Sequence, residues 1–318
     1  MVTSRRNFIQ TALAMGLAGC MSGRSKSKPL SAYRRGPLGK IVGELPPGRY
    51  DAHMHVYVND EAKPEEFWAE VQRCGFNGGC LFSRWPDARS PEATPEKLMD
   101  RVIAWTSASP TLYPFYWIDP AAPDALDLVD MAVEKGIYGF KVIRSDGMPC
   151  DEKTLPVYAK IAETGKPLTF HSGILWDGKP SSDYFRPAHF EPLLDVPGLR
   201  FALAHVSWPW HDECLAVYGK LQAAVHERGR RPSQMFIDTT PGTPMLYREE
   251  VIGKVFKVGY DMKDRVMFGT DASVQHYDKC DWARPFMPAD ERILRGIGQD
   301  DDVLDSYFRK GLQRFLFG

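Results

Sequence analysis

The chain has 318 residues, a formal net charge of -1 from 40 basic and 41 acidic side chains, and 43% hydrophobic residues. This balance provides no overall field for nucleic acid or a membrane surface, and no stretch approaches the ~18 apolar residues that span a bilayer. The length suits one large barrel or two smaller domains. None of the six cysteines forms a C-x-x-C pair, so neither a zinc knuckle nor a disulfide framework is indicated.

The first 20 residues have the order of parts expected of an export signal. Arg5 and Arg6 begin a stretch that resembles a twin-arginine motif, and an apolar run follows it. The segment Leu17-Ala18-Gly19-Cys20 resembles a bacterial lipobox, in which the cysteine receives lipid; a plain cleaved signal is the alternative. We expect an exported protein of the cell envelope or periplasm, lipid-anchored through Cys20. Residues 21–47, rich in Ser, Gly, Pro and basic residues, are expected to be a flexible linker.

From Arg49 onward, predicted strands and helices alternate. Strands are expected at residues 49–57, 79–85, 112–118, 138–144, 168–172, 200–207, 234–239 and 266–270. Helices are expected at residues 64–74, 95–107, 124–135, 155–164, 190–194, 214–228 and 245–258, with a last helical region over 289–315. Eight βα units in about 270 residues predict an α/β fold, a (β/α)8 TIM barrel over residues 48–318. A doubly wound open sheet is the alternative, disfavoured because no glycine-rich loop follows the first strand.

Five side chains with metal-binding or proton-transfer chemistry are placed at the strands of this barrel. His53 and His55 lie two residues apart on the first strand and therefore share a face, which is typical of half a metal site. His171 and His205 come near the ends of strands five and six, and Asp271 follows strand eight. Because the carboxyl ends of barrel strands form one mouth, we expect all five side chains to converge there.

Three histidines and one carboxylate suit a single divalent ion, and Zn²⁺ is the expected one. A water molecule would complete its coordination shell. Such an ion lowers the pKa of bound water toward ~7. We expect Asp271 to hold this water or take its proton. His205 is expected to polarise a substrate carbonyl or to orient the water.

The signature motifs of the amidohydrolase superfamily resemble four segments of the chain, in the same order: Asp51-Ala52-His53-Met54-His55, Phe170-His171-Ser172-Gly173, Leu203-Ala204-His205 and Gly269-Thr270-Asp271. The resemblance extends over about Arg49 to Gly318, and the most similar branch is the amidohydrolase-related one that includes aminocarboxymuconate-semialdehyde decarboxylase. It implies that His53, His55, His171 and Asp271 are the metal ligands. It also implies that His205 is the catalytic histidine of strand six.

Lys141 lies on predicted strand four, where some superfamily members have a carboxylated lysine that bridges two metal ions. The most similar branch usually holds one ion, which favours the other interpretations. Lys141 would then bind a substrate carboxylate or point to solvent.

The loops that follow the strands are expected to hold the substrate. Arg84 and Arg144 lie at the ends of predicted strands two and four, and a guanidinium suits recognition of a carboxylate. Trp176 and Trp208 follow strands five and six and would supply flat apolar walls. A small anionic or cyclic substrate is therefore expected. The alternative for each residue is loop packing or surface charge.

These observations favour a metal-dependent hydrolase that cleaves a C–O or C–N bond of a lactone, ester or amide. Non-oxidative decarboxylation at the same site is one alternative. Another is a metal-independent lactonase, resembling the pyrone-dicarboxylate lactonase group, in which the histidines donate hydrogen bonds and transfer protons. A solute-binding lipoprotein is disfavoured because a binder does not need five such residues. The expected partners are a small-molecule substrate and, through the lipid anchor alone, a membrane; nucleic acid is not expected, and a homo-oligomer is left open.

Overall fold

The structure, a computed structural model, describes residues 28–57, 61–86, 93–228, 232–279 and 285–318. The expected export signal, its Cys20 and the first part of the expected linker lie outside these residues. Residues 28–33 belong to a separate unit and contain one turn of 3-10 helix, Leu30–Ala32. The second unit runs from Arg34 to Gly318. No helix in the described ranges is long and apolar enough to cross a membrane.

The described part of the second unit contains nine short strands in one parallel sheet. They are β1 Asp51–His55, β2 Gly79–Phe82, β3 Leu112–Trp117, β4 Gly139–Val142, β5 Leu168–Phe170, β6 Arg200–Leu203, β7 Gln234–Asp238, β8 Val266–Met267 and β9 Ala272–Ser273. Their order in the sheet is β8-β7-β6-β5-β4-β3-β2-β1-β9, so each strand from β1 to β8 lies beside the next one in the chain. All eight predicted strands are present.

The last two strands are two halves of the eighth barrel strand, and they close the sheet onto β1. β8 pairs with β7, whereas β9 pairs with β1. The segment between these halves also bonds to β1: Ala52 N donates to Phe268 O over 2.9 Å, and Asp271 N donates to His53 O over 2.8 Å. The sheet therefore joins its own edge, which confirms the predicted (β/α)8 barrel and rules out the doubly wound open sheet.

The helices pack outside the strands, close to the predicted positions. The α-helices are α1 Pro64–Arg73, α2 Pro95–Trp105, α3 Ala125–Glu134, α4 Leu155–Glu163, α5 His211–Arg228, α6 Met245–Lys257, α7 Phe286–Gly296, α8 Asp301–Asp305 and α9 Gly311–Phe317. The connection between β5 and β6 is different: it consists of 3-10 helices at Ser182–Phe185 and Pro187–Asp195. Pro192 lies inside the second, where it has no backbone N–H to donate and so disfavours a regular α-helix.

Alternation along the strands sorts side chains into an inner and an outer layer. Phe82, Phe115 and Phe236 fill the barrel interior, and Phe315 of α9 joins them with its ring centroid 5.2 Å from that of Phe236. Asp238 lies two residues beyond Phe236, so it occupies the same face of β7, nearer the carboxyl end. The aromatic layer thus lies directly beneath the polar side chains at the carboxyl end of the barrel.

The prediction of a flexible linker is wrong for residues 34–47, because these residues pack onto the barrel. Ile41 and Leu45 are fully buried, and Tyr113 donates to Ile41 O over 2.8 Å. Lys40 is also buried, and its Nζ donates to the carbonyls of Thr106 and Ser109. These bonds satisfy the ammonium group although burial lowers its pKa to about 8. The barrel domain therefore begins near Arg34 and not at residue 48.

A buried ion pair joins α6 to α7 on the outside of the barrel. Arg248 donates from Nε and Nη2 to both carboxylate oxygens of Asp290, over 2.8 and 2.7 Å, and both side chains are fully buried. Tyr307 also donates to Asp290 over 2.6 Å, and its hydroxyl lies 2.6 Å from that of Thr239. This network connects two outer helices to the residue that follows β7.

Candidate active site

Three metal-binding side chains meet at the carboxyl ends of the barrel strands. His53 and His55 come from β1, and Asp271 lies between β8 and β9, the two halves of the last strand. Each offers one ligand atom, and the three atoms lie within 4.8 Å of one another. The closure of the barrel is what brings the two ends of the domain together here.

The spacing of these ligand atoms fits a divalent ion. His53 Nε2 is 3.1 Å from His55 Nε2 and 3.5 Å from Asp271 Oδ1, and His55 Nε2 is 2.9 Å from the same Oδ1. Ligands about 2.0–2.2 Å from a tetrahedral zinc ion stand about 3.3–3.6 Å apart. The three atoms are thus within a few tenths of an ångström of that arrangement. Imidazole nitrogen and carboxylate oxygen are also among the ligands that zinc accepts.

Asp238, which the sequence analysis missed, fixes the orientation of His53. Its Oδ2 lies 2.5 Å from His53 Nδ1, so that nitrogen carries the proton and Nε2 presents its lone pair to the cluster. The other carboxylate oxygen accepts from the backbone N–H of Thr240 over 2.8 Å and from the hydroxyl of the same residue. A signal was available, because Asp238 lies near the carboxyl end of predicted strand 234–239, much as Asp271 directly follows predicted strand 266–270.

We expect Asp238→Asn to weaken zinc binding by about 10–100-fold, because a neutral amide orients and polarises the His53 ring less well. Zinc titration against a competing chelator measures the affinity, and excess zinc should restore bound metal. Asp183→Asn is a matched control, since Asp183 also stands beside a histidine, His189, but at 3.7 Å and with a side chain 70% exposed. Equal affinity in the Asp238 variant and the control would contradict this role.

The segment that carries Asp271 is held in an unusual backbone conformation. Asp271 has φ +59°, in the left-handed region that non-glycine residues rarely adopt. The buried Asp51 accepts from Thr270 N over 3.0 Å, from the Thr270 hydroxyl over 2.5 Å and from Tyr277 over 2.7 Å. It also accepts from His53 N over 3.0 Å. Asp51 therefore fixes both ligand-bearing segments, although burial raises the pKa of its carboxyl to about 7.

His205 and His171 lie beside this cluster. The His205 ring centroid is 5.5 Å from that of His53 and 4.9 Å from that of His171. His205, Val206 and Ser207 all have positive φ, between +46° and +62°, and such strained runs are characteristic of functional sites. Gly242 leaves room for this turn, since a Cβ there would lie 2.8 Å from the His205 Cβ.

The fourth predicted ligand, His171, does not belong to the group of atoms within 4.8 Å. Its Nε2 is nevertheless buried without a hydrogen-bond partner in the described part of the chain, as is Nδ1 of His205. A buried ring nitrogen without a partner is available to a ligand. The assignment of His171 as a metal ligand stays a prediction.

Burial keeps the histidines of the site neutral. It lowers the pKa of His53, His55, His171 and His205, so their lone pairs are available at neutral pH. Burial acts in the opposite direction on Asp271, but the hydrogen bond from His55 and the neighbouring histidines hold the pKa of this carboxyl well below its usual range.

Lys141 is fully buried on β4, with Nζ 3.2 Å from His53 Nε2. Burial lowers the pKa of its ammonium group to about 8. The prediction that it points to solvent is wrong. Its two other roles, as a support for a second ion and as a contact for substrate, stay open because both need an amine next to the cluster.

A pocket of about 250 Å³ opens above the cluster, and all five converging residues of the sequence analysis line it: His53, His55, His171, His205 and Asp271. Lys141, Trp176 and Trp208 line it as well, in places that suit contact with a substrate.

The two arginines expected to bind substrate are not among the described residues that line this pocket. Arg144 donates to Asp151 over 2.6 Å and to Met148 O over 2.7 Å, so its guanidinium is engaged within its own loop. The substrate roles of Arg84 and Arg144 stay predictions without support from the geometry.

Tyr57 is a pocket residue that the sequence analysis did not single out. Its ring stacks on His55 with centroids 4.7 Å apart and 14° between the planes. It is the one described lining residue with a hydroxyl group. The signal was its place two residues after His55, on the same side of an extended chain.

A parallel barrel with two histidines and an aspartate clustered at the carboxyl ends of its strands defines a metal-dependent enzyme of the hydrolase type. A sequence model of the amidohydrolase family, Amidohydro_2, matches residues 50–307, and the chain belongs to this family. This match confirms the superfamily that the motifs resemble. The narrower resemblance to the decarboxylase-like branch stays a prediction.

Solved structures support the same fold. The dihydroorotase of Campylobacter jejuni is 14% identical, with a TM-score of 0.53, over 84% of this chain and 82% of that one. Amidohydrolase 2 from Bifidobacterium longum subsp. infantis is 15% identical, with a TM-score of 0.50, over 84% of this chain and 98% of that one. At these identities the likeness establishes the barrel fold alone. No curated protein matches the chain.

Proposed function

We propose that the enzyme hydrolyses a C–O or C–N bond next to a carbonyl group, in a lactone, an ester or an amide. The observation that carries this proposal is the set of three ligand atoms, 2.9–3.5 Å apart, at the base of an open pocket. His53 and His55 would hold a divalent ion through Nε2, and Asp271 through Oδ1. When bound, the ion would supply Lewis acidity and an activated water.

The side chains of the pocket have separate roles in this reaction. The Asp271 side chain is 26% exposed, against 1% and 3% for His53 and His55, so it is the member of the cluster that pocket water reaches. It is therefore the group that accepts the proton of the attacking water. The neutral His205 ring, which lines the same pocket, is placed to donate a hydrogen bond to the substrate carbonyl oxygen.

Removal of metal tests the proposal. Protein purified without chelator should contain about one divalent ion per chain and should hydrolyse members of a panel of lactones, esters and amides. Dialysis against a chelator should remove most of this activity, and zinc should restore it, because the bound ion would activate the water. Two ions per chain would instead indicate a carboxylated Lys141. Release of carbon dioxide from carboxylated aromatic compounds, without hydrolysis of the panel, would point to decarboxylation.

A metal-independent lactonase is a second candidate, favoured by two specific contacts. Lys141 Nζ lies 3.2 Å from His53 Nε2, the atom that would ligate the ion, and His55 Nε2 lies 2.9 Å from Asp271 Oδ1. The Nε2 atoms of both histidines therefore have polar partners within the protein itself, as a mechanism without metal requires. Lactone hydrolysis that persists at full rate in protein shown to be free of metal would support this candidate and contradict the first.

A further inference from the structure

The pocket has two chemically different halves. Its base is formed by the histidines, Lys141 and Asp271 described above. Its outer wall is mainly apolar and is formed by Ile143, Ile174, Leu175, Trp176, Trp208 and Pro241. The ring of Tyr247 stacks behind Trp208 with centroids 5.1 Å apart and extends this wall. A substrate that fills the pocket would therefore present a polar reacting group inward and an apolar part outward.

Trp176 is the most exposed part of this wall. It is 85% exposed, although burial of a tryptophan ring is strongly favourable. The chain on both sides of it is anchored. Ile174 N donates to Trp208 O over 2.7 Å, and the hydroxyl of Ser181 donates to both oxygens of Asp177, over 3.0 and 2.9 Å. The indole thus belongs to a loop that is hydrogen-bonded on both sides of it, which lowers the entropic cost of binding a flat group against it.

The charges around the pocket do not favour a substrate that bears a carboxylate substituent. Among the described lining residues, Lys141 is the one with an ammonium or guanidinium group, and it is directed to His53 Nε2. Arg186, on the loop beyond β5, is paired with Glu213 over 2.5 Å and does not line the pocket. Asp177, an acidic residue, does line it. A carboxylate substituent in the outer half would meet the negative charge of Asp177 and, among the lining residues that the structure describes, no guanidinium.

We propose that the substrate is an uncharged lactone, ester or amide that bears an aromatic or similarly flat apolar group, held between Trp176 and Trp208. This inference depends on the proposed function for the identity of the reacting group. It replaces the anionic substrate expected from the sequence with a neutral one, which can still be cyclic.

Binding of three matched ketones tests the inference without turnover. These are 2-butanone, 4-phenyl-2-butanone and 4-oxopentanoate, which share the carbonyl group and differ only in having no substituent, a phenyl ring or a carboxylate at the same carbon. Calorimetric titration of the metal-loaded enzyme should give the lowest Kd for the phenyl ketone. Trp176→Ala should raise that Kd by about 10-fold and leave the Kd of 2-butanone unchanged, because only the ring contacts the indole.

Leu246→Ala is the matched control, since Leu246 is 84% exposed and is not among the lining residues of the pocket. It should leave all three Kd values unchanged. Tighter binding of 4-oxopentanoate than of the phenyl ketone, or equal binding of the phenyl ketone to Trp176→Ala and the parent, would overturn the inference. A changed gel-filtration volume of Trp176→Ala with unchanged ketone binding would also overturn it, by indicating a contact between copies. Failure of the proposed function would be recognised separately, by metal-free activity or by the absence of hydrolysis.

Discussion

Asp271→Asn is expected to lower kcat/KM by about 10³–10⁴-fold for any substrate that the enzyme hydrolyses. The amide has nearly the same shape as the carboxylate but cannot accept the proton of the attacking water. It also removes the negative charge that lies 2.9 Å from His55 Nε2 and 3.5 Å from His53 Nε2. Steady-state kinetics and metal analysis of the same preparation should be measured together, so that loss of the ion is separated from loss of proton transfer.

The control for this variant is Asp130→Asn. Asp130 pairs with Lys160 on the outer helices, its side chain is 57% exposed, and it does not line the pocket. Its replacement removes the same charge and should leave kcat/KM unchanged. Turnover of Asp271→Asn within about tenfold of the parent would show that Asp271 is neither a ligand nor the proton acceptor.

Arg248→Met is expected to have the largest effect on stability, lowering the free energy of unfolding by about 3–5 kcal/mol. The substitution keeps most of the side-chain volume but leaves the fully buried carboxylate of Asp290 with only the Tyr307 hydroxyl as a donor among the hydrogen bonds described above. Urea unfolding followed by circular dichroism gives the free energy. Lys254→Met on the same helix is the control, because Lys254 is partly exposed and forms only surface ion pairs, so its loss should leave the unfolding curve close to that of the parent.

A double variant shows whether the effect comes from the unpaired charge. Arg248→Met combined with Asp290→Leu removes both ionic groups, so it should be less destabilised than the sum of the single changes. Additive losses would mean that the two side chains stabilise the fold independently. In that case the bidentate geometry would not be the source of the stability.

The barrel could be predicted because its signals are local. Short apolar strands such as Leu168–Phe170 and amphipathic helices such as α1 are visible in sequence spacing. The position of His171 and His205 near strand ends then places both rings at the carboxyl end of any such barrel. These local signals were enough to bring five distant residues into one pocket.

What could not be predicted depends on partners far away in the chain. Lys40 and Ile41 lie in a Pro/Gly-rich segment, and their burial requires acceptors and a tyrosine more than 60 residues away. The engagement of Arg144 depends on how its loop folds back to Asp151. Asp238 was overlooked for a different reason, since an aspartate at a strand end equally suits a helix cap or a turn. Its role emerges only from the 2.5 Å contact with His53.

The division of the last barrel strand has a thermodynamic consequence. Two of the three ligand atoms come from the first strand and the third from the interruption of the last, so an ion held there would join residues more than 200 positions apart in the chain. Its binding free energy would then contribute directly to keeping the first and last strands together. Binding of the cation and closure of the barrel would be one cooperative event. The apoprotein would be most susceptible to opening between the first and last strands.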